Sequence, residues 1–231
     1  WMELFSIRIQ RTFQLVSTFY GKEDITFHEL NSDFIATFDL FLKTEAGLCR
    51  NTIVRYMKCF KRITNMALAK EWMRKDPFYG YKMAQDETDP VFLTYPELKS
   101  IMEKEFTIPR LALVRDIFVF AAFTGLAFAN VSTLTKDNLV QDNNGDWWIR
   151  KGRVKLERRH RASSVCNIPL LPVPLAILKK YEEHPICRKK SLCLPVICNQ
   201  RMNSYLKEIA DLCNIRKNLT THTAKHSKIY I

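Results

Sequence analysis

"PRLALVRDIFVFAAFTGLAFANVSTLT", residues 109–135, is the stretch on which the reading of the fold turns. Up to Thr124 it is apolar on most sides. A surface helix shows one apolar stripe, so this pattern predicts a helix enclosed by others. Gly125 ends it, and "AFANVSTLT" opens another short helix. An enclosed helix needs neighbours, and the flanking sequence supplies them. Upstream, "TYPELKSIMEKEF" starts a helix with a Thr94/Glu97 capping box and Pro96 in its first turn. Downstream, "PVPLAILKKYEEH", "NQRMNSYLKEIADLCN" with Asn199 near its start, and a last helix after Thr220 or Thr221 complete the set. Between them "WWIRK" and "SVCNIPL" read as strands, with Asn143-Asn144-Gly145 as a turn and a strongly basic segment between or along them.

The first 80 or so residues are a separate helical set. The N-terminal segment carries Glu3, Arg8, Arg11 and Gln14 at intervals, as an amphipathic helix does and a signal peptide does not. It begins without a cap, as a chain starting inside a helix would. "NSDFIATFDLFLKTEAG" has Asn31 or Ser32 as its cap, with Phe34, Phe38, Phe41 and Leu42 at helical spacing and Gly47 as its stop. "NTIVRYMKCFKRITNMALAKEW" is capped by Asn51 or Thr52. Ile53, Tyr56, Phe60, Ile63 and Ala67 form its apolar stripe, with Arg55, Lys58 and Arg62 beside it. "DPFYGYKMAQDETDPVFLT" carries Pro77, Gly80, Pro90 and an acidic break, which marks a linker. The expected plan is a helical domain over 1–85, a linker at 86–92, and a mostly helical domain with a small β-hairpin or sheet over 93–231.

Charge is the first functional signal. The net charge is +12, which favours phosphate-bearing partners. It is also unevenly spread. Residues 50–75 hold eight basic side chains against Glu71, and residues 150–161 hold seven against Glu157. Two such patches suggest a clamp around a polyanion, with Arg55, Lys58, Arg62, Arg150, Lys151, Arg153, Arg158, Arg159 and Arg161 as contacts. A solvated basic surface is the plainer alternative. The seven cysteines are odd in number and no pair has C-x-x-C spacing, which fits reduced thiols in a cytoplasmic protein. No window approaches 18 consecutive apolar residues, so no membrane span is expected.

No Gly-rich phosphate loop and no G-x-S-x-G elbow is present. "LTTHTAKHSKIYI" at the end places His222, Lys225 and His226 at helical spacing. "HTAKH" resembles a zinc helix superficially, but Thr223 stands where that motif needs its general-base Glu. No metal and no cofactor is expected. Phosphate chemistry suits a histidine beside a lysine, since both donate to non-bridging oxygens; simple contact with a phosphate is the alternative.

In order and spacing, "NTIVRYMKCFKRITNMALAKEWMRKDPF", "FLTYPELKSI", "FTGLAFANVSTLT", "IRKGRVKL…NIPLLP" and "THTAKH" resemble the tyrosine recombinases of the phage-integrase family, and most closely the integrases of conjugative transposons. The resemblance implies a two-domain fold, mainly α with a small β-hairpin: a helical SAM-like core-binding domain and a mixed catalytic domain. It implies a site-specific DNA recombinase of a mobile element, which works on duplex DNA as a DNA-dependent oligomer and uses no metal or nucleotide. In that family a tyrosine attacks the scissile phosphate, two arginines and a His or Lys stabilise the transition state, and a hairpin lysine protonates the leaving oxygen. Carried over, Lys155 matches the hairpin lysine, with Lys151 as the alternative register. His222, Lys225 and His226 match the H-x-x-R-H box, with Lys in place of Arg. Ala127 stands where the first arginine belongs, and Asn130 where an acid belongs. Arg115 could serve in place of the missing arginine or could be salt-bridged inside its domain. The nucleophilic tyrosine is expected beyond Ile231, and Tyr230 is too close to His222 to take that role. The alternative function is a degenerate integrase that grips DNA without cutting it.

Overall fold

The computed structural model describes residues 2–152 and 165–227. It divides into two compact units, Trp1–Thr88 and Asp89–Ile231. Unit one holds α1 (Met2–Tyr20), α2 (Ser32–Thr44) and α3 (Arg50–Ala69). Asn31 caps α2 by accepting the Phe34 N–H at 2.9 Å. Phe38 and Leu42 on α2 and Ile53 and Met57 on α3 are completely or almost completely buried. Phe19, Phe34, Phe38, Phe41, Phe60 and Phe78 form a continuous set of ring contacts, many of them edge-on or tilted. Rings in such arrangements add about 0.5–1.5 kcal/mol per pair beyond the area they bury.

The start of α3 differs from expectation. The helix begins at Arg50 with Cys49 at the cap, and no side chain caps it. Asn51 is used elsewhere: its amide accepts the Asp86 N–H at 2.9 Å and donates to the Asp86 carbonyl at 3.0 Å. Arg50 adds bonds to the Lys82 and Ala84 carbonyls and grips both oxygens of Asp39. The residues just after Tyr81 are thereby laced onto the first turn of α3.

Unit two is built around α5 (Pro109–Thr124). Leu111, Val114 and every residue from Asp116 to Thr124 are buried. Gly125 takes the left-handed conformation, φ 66°, that closes the helix. Around α5 pack α4 (Tyr95–Glu103), α7 (Pro172–Tyr181), α9 (Asn199–Leu212) and α10 (Thr221–His226). The expected capping box of α4 is present. Between α6 (Phe128–Val131) and α7 lies an antiparallel sheet in the order β1-β2-β3: Leu139–Gln141, Trp147–Gly152 and Val165–Pro169. Strand β1 and the short helix α8 (Pro185–Lys190) were not expected from the sequence. Ile149 at the centre of the sheet is fully buried. All seven cysteines are free thiols. Among the described residues no helix is long and apolar enough to cross a membrane.

Candidate nucleic-acid interface

The first basic surface is one side of α3. Burying Ile53, Val54, Met57, Phe60, Thr64 and Ala67 fixes the rotation of the helix. At i, i+3 and i+7, Arg55, Lys58 and Arg62 then fall on the exposed side. The patch is smaller than its cation count suggests. Arg50 is paired with Asp39 at 3.1 Å, and Lys61 with Asp76 at 3.8 Å. Lys58 bonds the neutral amide of Gln85 at 3.2 Å, which leaves its charge in place.

The second surface is the β2–β3 hairpin. Its register sets Arg150 opposite Asn167 and Lys151 opposite Cys166. Strand alternation sends Ile149 and Lys151 to one face and Arg150 to the other. Arg150 is accordingly exposed. Lys151 departs from expectation: its ammonium donates to the Thr133 carbonyl at 2.6 Å and to Asn138 Oδ1 at 3.0 Å. It stitches the sheet to the turn after α6 instead of standing open to a phosphate. Arg153, Lys155, Arg158, Arg159 and Arg161 lie outside the described residues.

The third feature is α10, which is fixed at both ends. Thr220 and Thr223 form a capping box. Thr221 donates its N–H to Asn203 Oδ1 at 2.9 Å and its hydroxyl to Asn199 Oδ1 at 2.8 Å, both on α9. At the other end the Leu93 N–H donates to Ser227 Oγ at 2.7 Å, and that hydroxyl donates to the Thr223 carbonyl at 2.8 Å. Thr223 and Ala224 are buried, so His222, Lys225 and His226 are turned outward and exposed. The two imidazoles meet Nε2 to Nε2 at 3.0 Å with their rings edge-on. Asn199 and Asn203 were missed in the sequence. Their only signal is the same four-residue spacing, on a helix whose relation to α10 is tertiary.

Arg115 requires a correction. Its Nε donates to Asp116 Oδ1 at 2.6 Å, and its Nη1 to the carbonyls of Lys104 at 2.8 Å and Met102 at 3.3 Å. The two side chains meet although they are adjacent on the helix. The long arginine side chain curls back while Lys180 Nζ and Tyr181 Oη reach the second carboxylate oxygen at 2.7 and 2.8 Å. Burial first, and this hydrogen bond second, raise the Tyr181 phenol above its ordinary range. Arg115 thus ties the α4–α5 connection to the core. At the position of the expected first arginine, Ala127 is the N-cap of α6 and offers only a methyl group, while Asn130 is buried.

A cavity of about 520 Å³ is lined in part by Leu139, Trp147, Leu170, Leu175, Leu178 and Cys193. Lys136, Lys179 and Glu182 complete its otherwise apolar lining. Burial pushes the Cys193 thiol up to about 11. Among the described residues no group of three or more His, Cys, Asp or Glu could hold a metal ion.

The phage integrase SAM-like domain model matches residues 6–83. No curated protein matches the sequence. Among solved structures the chain is similar to a lambda integrase dimer bound to a COC′ core site, with TM-score 0.70 and 12% identity over 96% of this chain and 76% of that one. It is similar to the Tn1549 transposon integrase in complex with transposon right end DNA, with TM-score 0.65 and 16% identity over 98% and 78%. It is also similar to the XerH site-specific recombinase in its post-cleavage complex with difH, with TM-score 0.62 and 16% identity over 85% of this chain. The chain spans 60% of that XerH chain. The chain has the fold of the tyrosine recombinases. Its first unit is, over residues 6–83, a phage integrase SAM-like domain.

Proposed function

We propose that this chain is the DNA-gripping body of a site-specific recombinase, an integrase of a mobile element. The observation that carries the reading is the exposed Arg55–Lys58–Arg62 row, held outward by the buried stripe of α3 within a phage integrase SAM-like domain. The rotation of the helix that carries the row is fixed by the burial of Ile53, Val54, Met57, Phe60, Thr64 and Ala67. The row has the spacing of a helix side laid along a phosphate backbone. Arg150, exposed on β2, supplies a second contact in the other unit. His222 and Lys225, exposed on the doubly anchored α10, would hold one phosphate. In such a recombinase a tyrosine attacks that phosphate, and the phosphotyrosyl bond stores the energy for rejoining. The partner is duplex DNA, bound by more than one copy.

A second reading is favoured by two particular positions. Ala127 offers no cation, and Lys225 offers a point charge where an arginine would grip two oxygens at once. Both changes weaken transition-state stabilisation more than DNA binding, which fits a protein that holds its site without cutting it. A nicked duplex that traps covalent adducts separates the two. An adduct formed by the 231-residue chain, or by a longer polypeptide that carries it, supports recombination. Binding with no adduct, and an adduct regained with Ala127→Arg and Lys225→Arg together, supports the binding-only reading.

A further inference from the structure

We propose that His222 and His226 form a two-histidine chelate for a divalent transition-metal ion. The spacing of the two Nε2 atoms suits a ligand pair. Metal–imidazole bonds are about 2.0–2.1 Å long. Two such bonds at right angles put their nitrogens about 2.9 Å apart, and at the tetrahedral angle about 3.4 Å apart, from the same bond length. The observed Nε2–Nε2 separation is 3.0 Å.

Nothing in the backbone has to move to admit the ion. The capping box, the two asparagines of α9 and the Ser227–Leu93 bond hold α10 in place. Both rings are exposed, so the ion can arrive from solvent and keep waters in its other positions. In the metal-free pair one Nε2–H donates to the lone pair of the other ring. Coordination needs both Nε2 lone pairs. The donating ring therefore moves its proton to Nδ1, and the neutral pair gains the metal with no net release of protons.

The same geometry defines what the site is not. Thr223 occupies the position of a general base, and among the described residues no group of three or more His, Cys, Asp or Glu that could hold a metal ion is present. Two protein nitrogens leave the ion's other positions to water or to further ligands. Imidazole ligands favour copper, nickel and zinc over magnesium or calcium. Because the pair lies in the cluster proposed to hold a phosphate, an ion there would compete for those imidazoles. The chelate itself depends only on the two rings and stands whether or not that phosphate reading holds.

The test is calorimetric titration of the 231-residue chain with Ni(II) alone, in a non-chelating reductant, beside His222→Ala, His226→Ala and His184→Ala. One ion per chain is expected. Each of the first two substitutions should weaken binding at least tenfold, about 1.4 kcal/mol, while His184→Ala leaves it unchanged. The same affinity in His222→Ala and His226→Ala would assign the ion to the cysteines or another site and overturn the proposal. Electron paramagnetic resonance of Cu(II) bound to the unsubstituted chain gives an answer free of any folding defect. Coupling to two imidazole nitrogens is expected, and a sulfur-dominated spectrum would refute the assignment.

Discussion

Asp116 shows how a buried charge is made tolerable: Arg115, Lys180 and Tyr181 satisfy both of its oxygens. Removing one side of such a set strands the others. Asp116→Ala should therefore cost about 3–5 kcal/mol in urea-induced unfolding. A cost under about 1 kcal/mol would mean that water replaces the carboxylate. Lys225 poses the opposite case, an exposed cation that the fold does not need. Lys225→Arg should leave stability within about 0.5 kcal/mol. It should tighten binding to a duplex by up to about tenfold, or 1.4 kcal/mol, through the second guanidinium hydrogen bond. An unchanged affinity would place Lys225 away from any phosphate.

Elements were legible where local chemistry alone decides them. The capping box of α4, the Asn31 cap, the Gly125 stop and the all-round apolar α5 could each be read from a few residues. What failed depends on distant partners. Asn51 looks like a cap, but Asp86 claims it, so α3 starts earlier, at Arg50. β1 is three residues long, too short for alternation to show. In α8 only Cys187 is buried, so "PICRKK" has no apolar stripe to read. The α4 cap also carries a pH dependence. Burial alone would raise the Glu97 carboxyl, but the hydrogen bonds from Lys217 and Thr94 outweigh it and hold the group below its ordinary value. A depressed folded pKa adds stability above the unfolded value of about 4.3 and removes it as pH falls through the folded one. Unfolding experiments should show stability declining below about pH 4.3, and declining less in Glu97→Gln. An identical acid limb in the variant would remove Glu97 from the explanation.

The two units each have a core of their own, one centred on the phenylalanines of α2 and α3, the other on α5. Residues 1–88 should therefore fold alone, giving a helical circular-dichroism spectrum and a cooperative melt; a non-cooperative melt would show that this unit needs the rest of the chain. The charge plan of the molecule was readable as two clusters in the sequence. Which cations the fold engages was not, since Asp39, Asp76, Thr133 and Asn138 are brought to Arg50, Lys61 and Lys151 only by tertiary structure. Of the basic residues expected to meet DNA and described here, Arg55, Lys58, Arg62 and Arg150 are the exposed ones. The most direct test of the account is the salt dependence of duplex binding by the whole chain and by Arg55→Ala/Lys58→Ala/Arg62→Ala. Log affinity should fall linearly with log salt. The triple variant should bind more weakly, its slope flattened by roughly 0.9 for every phosphate it no longer neutralises, while its thermal melt is unchanged. A flat salt dependence, or a triple variant with the affinity and slope of the parent, would contradict the claim that this chain grips DNA through α3.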